Sequence, residues 1–254
     1  MILQVDHVAL SSLDFDKDLA FWKELNYNLI FLESSIQNLE IKIPFLKEFH
    51  EAHDLALIAN QDNYSIELLN HHHLNENQAY IFPIFENIPI QFIETERRKT
   101  FFCDLKVTSA ELKETNIPCY FFGESNQSPF RFNKIVMNVN NFDDSLAFWQ
   151  RLGFRILKRD NLSAILLFQS LFSRSDLEIV LTQSMNESNY FLDDIGWNCI
   201  ALVSNSAKKE EEYLKNSGYP LTTIQELEVN AKCLQIFFVK GPSNELVEII
   251  SPKS

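Results

Sequence analysis

Six histidines, His7, His50, His53, His71, His72 and His73, are the side chains of this 254-residue sequence best suited to metal or acid–base chemistry, and all lie in its first half. Any imidazole chemistry must therefore be built by residues 1–127. His7 stands beside Asp6 on the apolar run LQVDHVAL, where polar side chains need a reason. Glu67 sits within SIELLN, where a carboxylate buried without a partner would be costly. An ordinary hydrogen-bonded histidine and a solvent-facing glutamate are the bland alternatives. His53 opens the run HDLALIAN just before SIELLN, so it either reaches the same place or lies exposed at a strand start.

Other polar clusters carry less. FHEAH places His50 and His53 at i, i+3 rather than the i, i+4 spacing of an HExxH zinc helix. His71, His72 and His73 follow SIELLN and read as a solvated loop. Cys103, Cys119, Cys199 and Cys233 lie in apolar runs without CxxC or Cys/His zinc spacing, which reads as reduced, buried thiols. The run Lys208 to Glu212 reads as a solvated helix face, and only 5 glycines leave little material for a phosphate loop.

With 46% hydrophobic and 22% charged residues the chain can bury a full core. Its net charge of −13 argues against nucleic acid and anionic membrane surfaces as partners. The acidity is uneven: residues 1–127 hold 9 basic and 20 acidic side chains, residues 128–254 hold 13 and 15. No apolar run reaches a membrane-spanning length and MILQVDHVAL lacks a basic leader, so a cytoplasmic protein is expected.

The elements that must position these residues recur at half the chain length. FDKDLAFWKELNYNLIF at Phe15 to Phe31 matches FDDSLAFWQRLGFRILK at Phe142 to Lys158, an offset of 127, with Trp22 matched to Trp149. Phe15, Leu19, Trp22 and Leu25 form one amphipathic stripe, as do their counterparts, so both segments are helices anchored in a core by tryptophan. Asp14 and Asn141 are N-cap types, while Asn26 and Gly153 tolerate the left-handed conformation that ends a helix.

A strand precedes each helix and apolar β-rich runs follow. They are YNLIFLES, LEIKI, HDLALIAN and SIELLN in the first copy, then FRILKR, AILLFQ and LEIVLTQ in the second. A further unit comprises WNCIALV, a helix from Ala207 to Asn216, CLQIFFVK and ELVEIIS, with GPSNE as the turn before its last strand. The remaining unit is irregular, with FFCDLKV as its first strand and VTSAELKETNIP as a shortened helix. The expected architecture is α+β, with tandem βαβββ modules forming two domains, 1–127 and 128–254, that meet between Glu124 and Pro129.

A strand carrying DHVAL, a capped helix ending in FWxxL, and strands closing on SIELL or LVEII resemble the vicinal oxygen chelate superfamily. That superfamily includes glyoxalase I, bleomycin-resistance proteins and extradiol dioxygenases. The resemblance implies glyoxalase-like domains whose curled sheets form cups. It also implies a divalent ion (Fe, Mn, Ni, Co or Zn) held by His on the first strand and Glu on the last strand of a module.

Carried over, the resemblance makes His7 and Glu67 metal ligands in an N-terminal cup; the third ligand is left open, with His53, by its place just before SIELLN, the candidate. In the second domain Lys134 replaces the histidine, with Cys199 at the matching position of the last module and Glu178 and Glu248 as closing carboxylates. Lysine opposes a cation, so no metal is expected in the C-terminal domain. The implied function is metal-assisted isomerase, lyase or oxygenase chemistry on an oxygen-rich small molecule. Alternatively the protein is a non-catalytic small-molecule binder or resistance protein; a homodimer is compatible with either reading.

Overall fold

The computed structural model of the chain describes residues 1–72, 80–112, 118–122, 129–172, 176–185 and 189–253, with only the backbone at 90 and 95–97. The first module runs β1 (Ile2–Ser11), α1 (Phe15–Glu24), β2 (Asn28–Gln37), β3 (Ala52–Ala59) and β4 (Ser65–Asn70). Asp14 caps α1 by accepting from the Lys17 N–H, and Asn26 ends it at φ 63°. LEIKI, expected as a strand, is instead part of a 3-10 helix, Glu40–Phe45. A strand would put residues 41, 43 and 45 on one face, but Ile41 and Phe45 are buried while Ile43 is 49% exposed. Pro44, lacking an N–H, also suits a helical turn better than a ladder.

The second module contains β5 (Ile81–Glu86), β6 (Ile93–Phe102), β7 (Leu105–Leu112) and β8 (Pro118–Phe122). It departs from expectation twice. FFCDLKV is not a first strand: it turns at Cys103, φ 53°, to join β6 to β7 in an antiparallel hairpin. The described part of VTSAELKETNIP is strand β7, whose Val and Thr favour extended backbone. A 3-10 turn, Ile90–Phe92, stands where the other modules have an α-helix.

The third module has β9 (Arg131–Val139), α2 (Phe142–Arg151), β10 (Arg155–Arg159), β11 (Ser163–Phe168) and β12 (Leu177–Gln183). Gly153 ends α2 at φ 98°, but Asn141 does not cap it through its side chain, whose amide donates to Asp144 instead. The fourth has β13 (Gly196–Ser204), α3 (Ala207–Asn216), β14 (Gln225–Val229), β15 (Lys232–Lys240) and β16 (Leu246–Pro252). The expected junction at 124–128 lies outside the described residues.

Modules pair in a nested order. β1 runs antiparallel to β13, and β5 antiparallel to β9, whereas β13 meets β5 only through Trp197 and Ile81. The first and last modules therefore curl around one cup and the middle two around another. The core between helices and sheet is aromatic: Trp22 meets Trp197 edge-on at 5.7 Å, Trp197 meets Phe132 at 5.1 Å, and Phe132 meets Phe85 at 5.3 Å. These rings come from all four modules and join them at one point. No described helix is long and apolar enough to cross a membrane.

Candidate metal centre

Strand alternation decides which side chains face the cup. On β1, Val8 and Leu10 pack toward the helices, leaving His7 and Ala9 on the opposite face. β4 runs parallel to β1 with Glu67 beside Ala9, and β16 runs parallel to β13 with Glu248 beside Ala201, which is itself opposite His7. His7, Glu67 and Glu248 thus converge from three strands. The sequence reading placed Glu248 in a separate second-domain cup; the β1–β13 pairing brings it to His7 and gives the second half a place in this site.

His7 Nε2 lies 3.3 Å from Glu67 Oε2 and 3.7 Å from Glu248 Oε2, and one ligand atom from each residue falls within 4.8 Å of the others. Bonds of about 2.1 Å to a transition metal separate adjacent ligand atoms by about 3.0–3.4 Å. The three groups are therefore close to a coordination shell before any ion draws them in. His7 is 5% exposed, and its Nε2 makes no well-directed hydrogen bond among the described residues. Its Nδ1 lies 2.9 Å from Asp6 Oδ2, which orients the ring and fixes Nε2 as the metal-facing nitrogen.

The three groups perturb one another. Burial would lower the His7 pKa, but the Glu67 charge and the Asp6 hydrogen bond outweigh it and raise it well above 6.5. Burial alone would raise Glu67, yet the His7 charge draws it down. Glu248 is pushed up by burial and by the Glu67 charge. Each shift traces to burial and to the neighbouring charges, so a cation bound among the three groups would change all of them.

The cavity lined by Glu67 and Glu248 measures about 40 Å³, enough for about three water-sized groups. Leu55, Leu69, Leu192, Ile236 and Phe238 form its apolar walls, and Lys42, His53, His71 and Cys199 are polar members of its lining. His53 lines the cup but stands outside the triad. It is 2% exposed and neither ring nitrogen has a hydrogen-bond partner among the described residues. Burial first, then the Lys42 charge and His71, hold its pKa down to about 3, so it is neutral.

His71 is buried, not part of a solvated loop, and its ring stacks on His53 with centroids 5.8 Å apart. His72 is exposed near Asp54, and His73 lies outside the described residues. Cys199 is buried in the cup wall, with burial and the two glutamate charges raising its thiol pKa well above 9. Of the other cysteines, Cys119 is buried, Cys103 half-buried and Cys233 exposed, so the expectation of four buried thiols fails at the last two.

The other cup is filled. Ile84, Phe102, Val107, Val136, Ile165 and Val180 pack together in it, two of them from the β6–β7 hairpin. Lys134, at the position of His7, pairs with Glu86 at 2.8 Å and Glu178 at 3.4 Å. Glu178 is not at the position of Glu67: it lies beside Lys134 itself, whereas Val136, the counterpart of Ala9, lies beside Val180. Apolar side chains thus replace the chelating face. Lys42 and the nearness of Glu248 to His7 escaped the sequence reading; the shared register of Glu67 and Glu248 is the signal that marks them as equivalent.

No protein-family model matches the chain, and no curated protein matches it by sequence. Its fold is matched over nearly its whole length by solved structures. Glyoxalase I from Zea mays superposes with a TM-score of 0.66 at 12% identity, covering 98% of this chain and 92% of that one. A point mutant of that enzyme gives 0.67 at 12%, covering 98% and 93%. A candidate dioxygenase from Bacillus subtilis gives 0.64 at 10%, covering 100% and 86%. At these identities the likeness concerns fold alone: the chain shares the paired βαβββ architecture of these glyoxalase I structures.

Proposed function

We propose that the cup between the first and last modules is a divalent metal site formed by His7, Glu67 and Glu248, and that it serves metal-assisted isomerase, lyase or oxygenase chemistry on a small oxygen-rich molecule. The observation that carries this reading is the convergence of one imidazole and two carboxylates from three strands within 4.8 Å, with Nε2 of the buried His7 making no well-directed hydrogen bond among the described residues. Three protein ligands leave coordination positions open. Bound there, an ion supplies Lewis-acid polarisation of a substrate oxygen.

The chain's own residues supply the rest. Asp6 holds the His7 ring in one orientation, and the leucine, isoleucine and phenylalanine walls exclude water from the reacting face. Glu248 completes the donor set: burial and the Glu67 charge raise it without a cation, and a bound ion would relieve that repulsion. The second cup, packed with apolar side chains, has a structural role in this reading.

Elemental analysis of untagged protein, after exposure to Fe, Mn, Co, Ni and Zn, tests the site. About one ion per chain is expected, lost in His7→Ala. A wild-type protein that takes up none of these ions, or a His7→Ala variant that retains full occupancy, overturns the metal reading.

A further inference from the structure

Two groups in the same cup are not used by the metal triad. His53 is a neutral imidazole on the buried wall, with one donor and one acceptor nitrogen and no partner for either among the described residues. Leaving both unsatisfied is costly unless a ligand supplies the bonds. Lys42 lies on the 3-10 helix at the cavity, half-buried, with its ammonium 5.8 Å from the centre of the Phe238 ring. Among the described residues it forms no ion pair, although its charge bears on both Glu67 and Glu248.

We infer that the cup selects a short anionic oxy-acid, with the Lys42 ammonium seating its carboxylate and the His53 imidazole hydrogen-bonding to it from the buried wall. This deepens the metal-site reading and rests on it through a charge balance. A divalent ion would neutralise Glu67 and Glu248, with His7 neutral as a ligand, so that among the described residues of the cavity lining Lys42 is left as the one uncompensated charge. Asp6, committed to His7, lies outside that lining. A monoanion completes the balance where a neutral molecule would leave it open. The apolar walls and the small volume limit the ligand to a few heavy atoms beyond its oxygens.

The experiment titrates the full chain, loaded with Zn2+, with glycolate and with its uncharged counterpart glycolamide at low ionic strength. Glycolate should bind at least tenfold more tightly than glycolamide and weaken as salt rises. Lys42→Gln should erase most of that preference while taking up Zn2+ with wild-type stoichiometry, and Lys42→Arg should keep it. His53→Phe should weaken glycolate binding at least fivefold. The inference is overturned if wild type binds no glycolate or does not distinguish the two ligands, or if Lys42→Gln and His53→Phe both bind glycolate like wild type. Should the wild type take up no Zn2+, the metal reading fails separately. The same titration of the metal-free chain then decides: glycolate binding that depends on Lys42 supports the anion site, and its absence overturns it.

Discussion

Glu67 and Glu248 occupy equivalent positions on strands from opposite halves of the chain, one beside Ala9 of β1 and the other beside Ala201 of β13. The antiparallel β1–β13 pairing turns this equivalence into proximity, so two carboxylates share one imidazole in a buried cup. Without a cation the arrangement carries an electrostatic cost, visible in the raised Glu248.

That cost gives Glu248→Gln opposite effects in the two states of the protein. A carboxyl whose folded pKa is raised contributes stability below its unfolded value of 4.5 and loses it as pH rises through the folded one. In metal-free protein at pH 8, the glutamine variant should therefore unfold later than wild type, by about 1 kcal/mol or a few degrees. The gain should fade toward about pH 4.5. With saturating metal the order should reverse, because wild type gains more from the ion. Thermal melts with and without chelator read both signs; the same sign in both states would refute the shared-charge account.

The second cup is held by Lys134, whose ammonium lies between Glu86 and Glu178 with little exposure to solvent. Lys134→Met strands two carboxylates in a half-buried site, at a cost of about 1–3 kcal/mol. Adding Glu86→Gln and Glu178→Gln to it should recover most of that loss. Urea midpoints measure the destabilisation, and metal content should match wild type throughout. Loss of bound metal in the single variant would show that this cup is coupled to the first.

How much of this was legible depended on the range of the signal. The helices at Phe15 and Phe142 announced themselves through stripe and stop, and the first through its Asp14 cap as well, all set by residues within one or two turns. His7 and Glu67 stood out because a charged or polar residue inside an apolar strand is locally conspicuous. Glu248 was visible as the same kind of residue but was placed in the wrong cup. Which module edge β13 joins is settled by pairing across nearly two hundred residues, and no local spacing encodes it.

The second module failed for a different reason. Its β6–β7 hairpin covers the stretch expected as a first strand and a helix, and the turn at Cys103 requires a left-handed residue where a cysteine gives no turn signal. Lys42 was hidden because LEIKI alternates like a strand, while Pro44, which breaks that pattern, follows just beyond it. In both places tertiary packing overrode a locally plausible period.

Asp18 offers a pH dependence away from either cup. It sits in α1, 3% exposed, accepting a hydrogen bond from Ser12 Oγ at 2.5 Å, and burial pushes its pKa from 3.8 up to about 6. Its proton is held more tightly folded than unfolded, so the group lends stability below about pH 4 and loses it as pH rises through about 6. Asp18→Asn keeps an oxygen for Ser12 but does not titrate. Relative to wild type, the variant should gain stability progressively between pH 4 and 6 and then level off, the gain being on the order of 1–3 kcal/mol. Urea unfolding at half-unit pH steps reads this difference directly, because other titrating groups are common to both proteins and cancel. A difference that stays constant across the range would mean that Asp18 ionises at its ordinary value, and that the Ser12 bond and residual solvation outweigh burial.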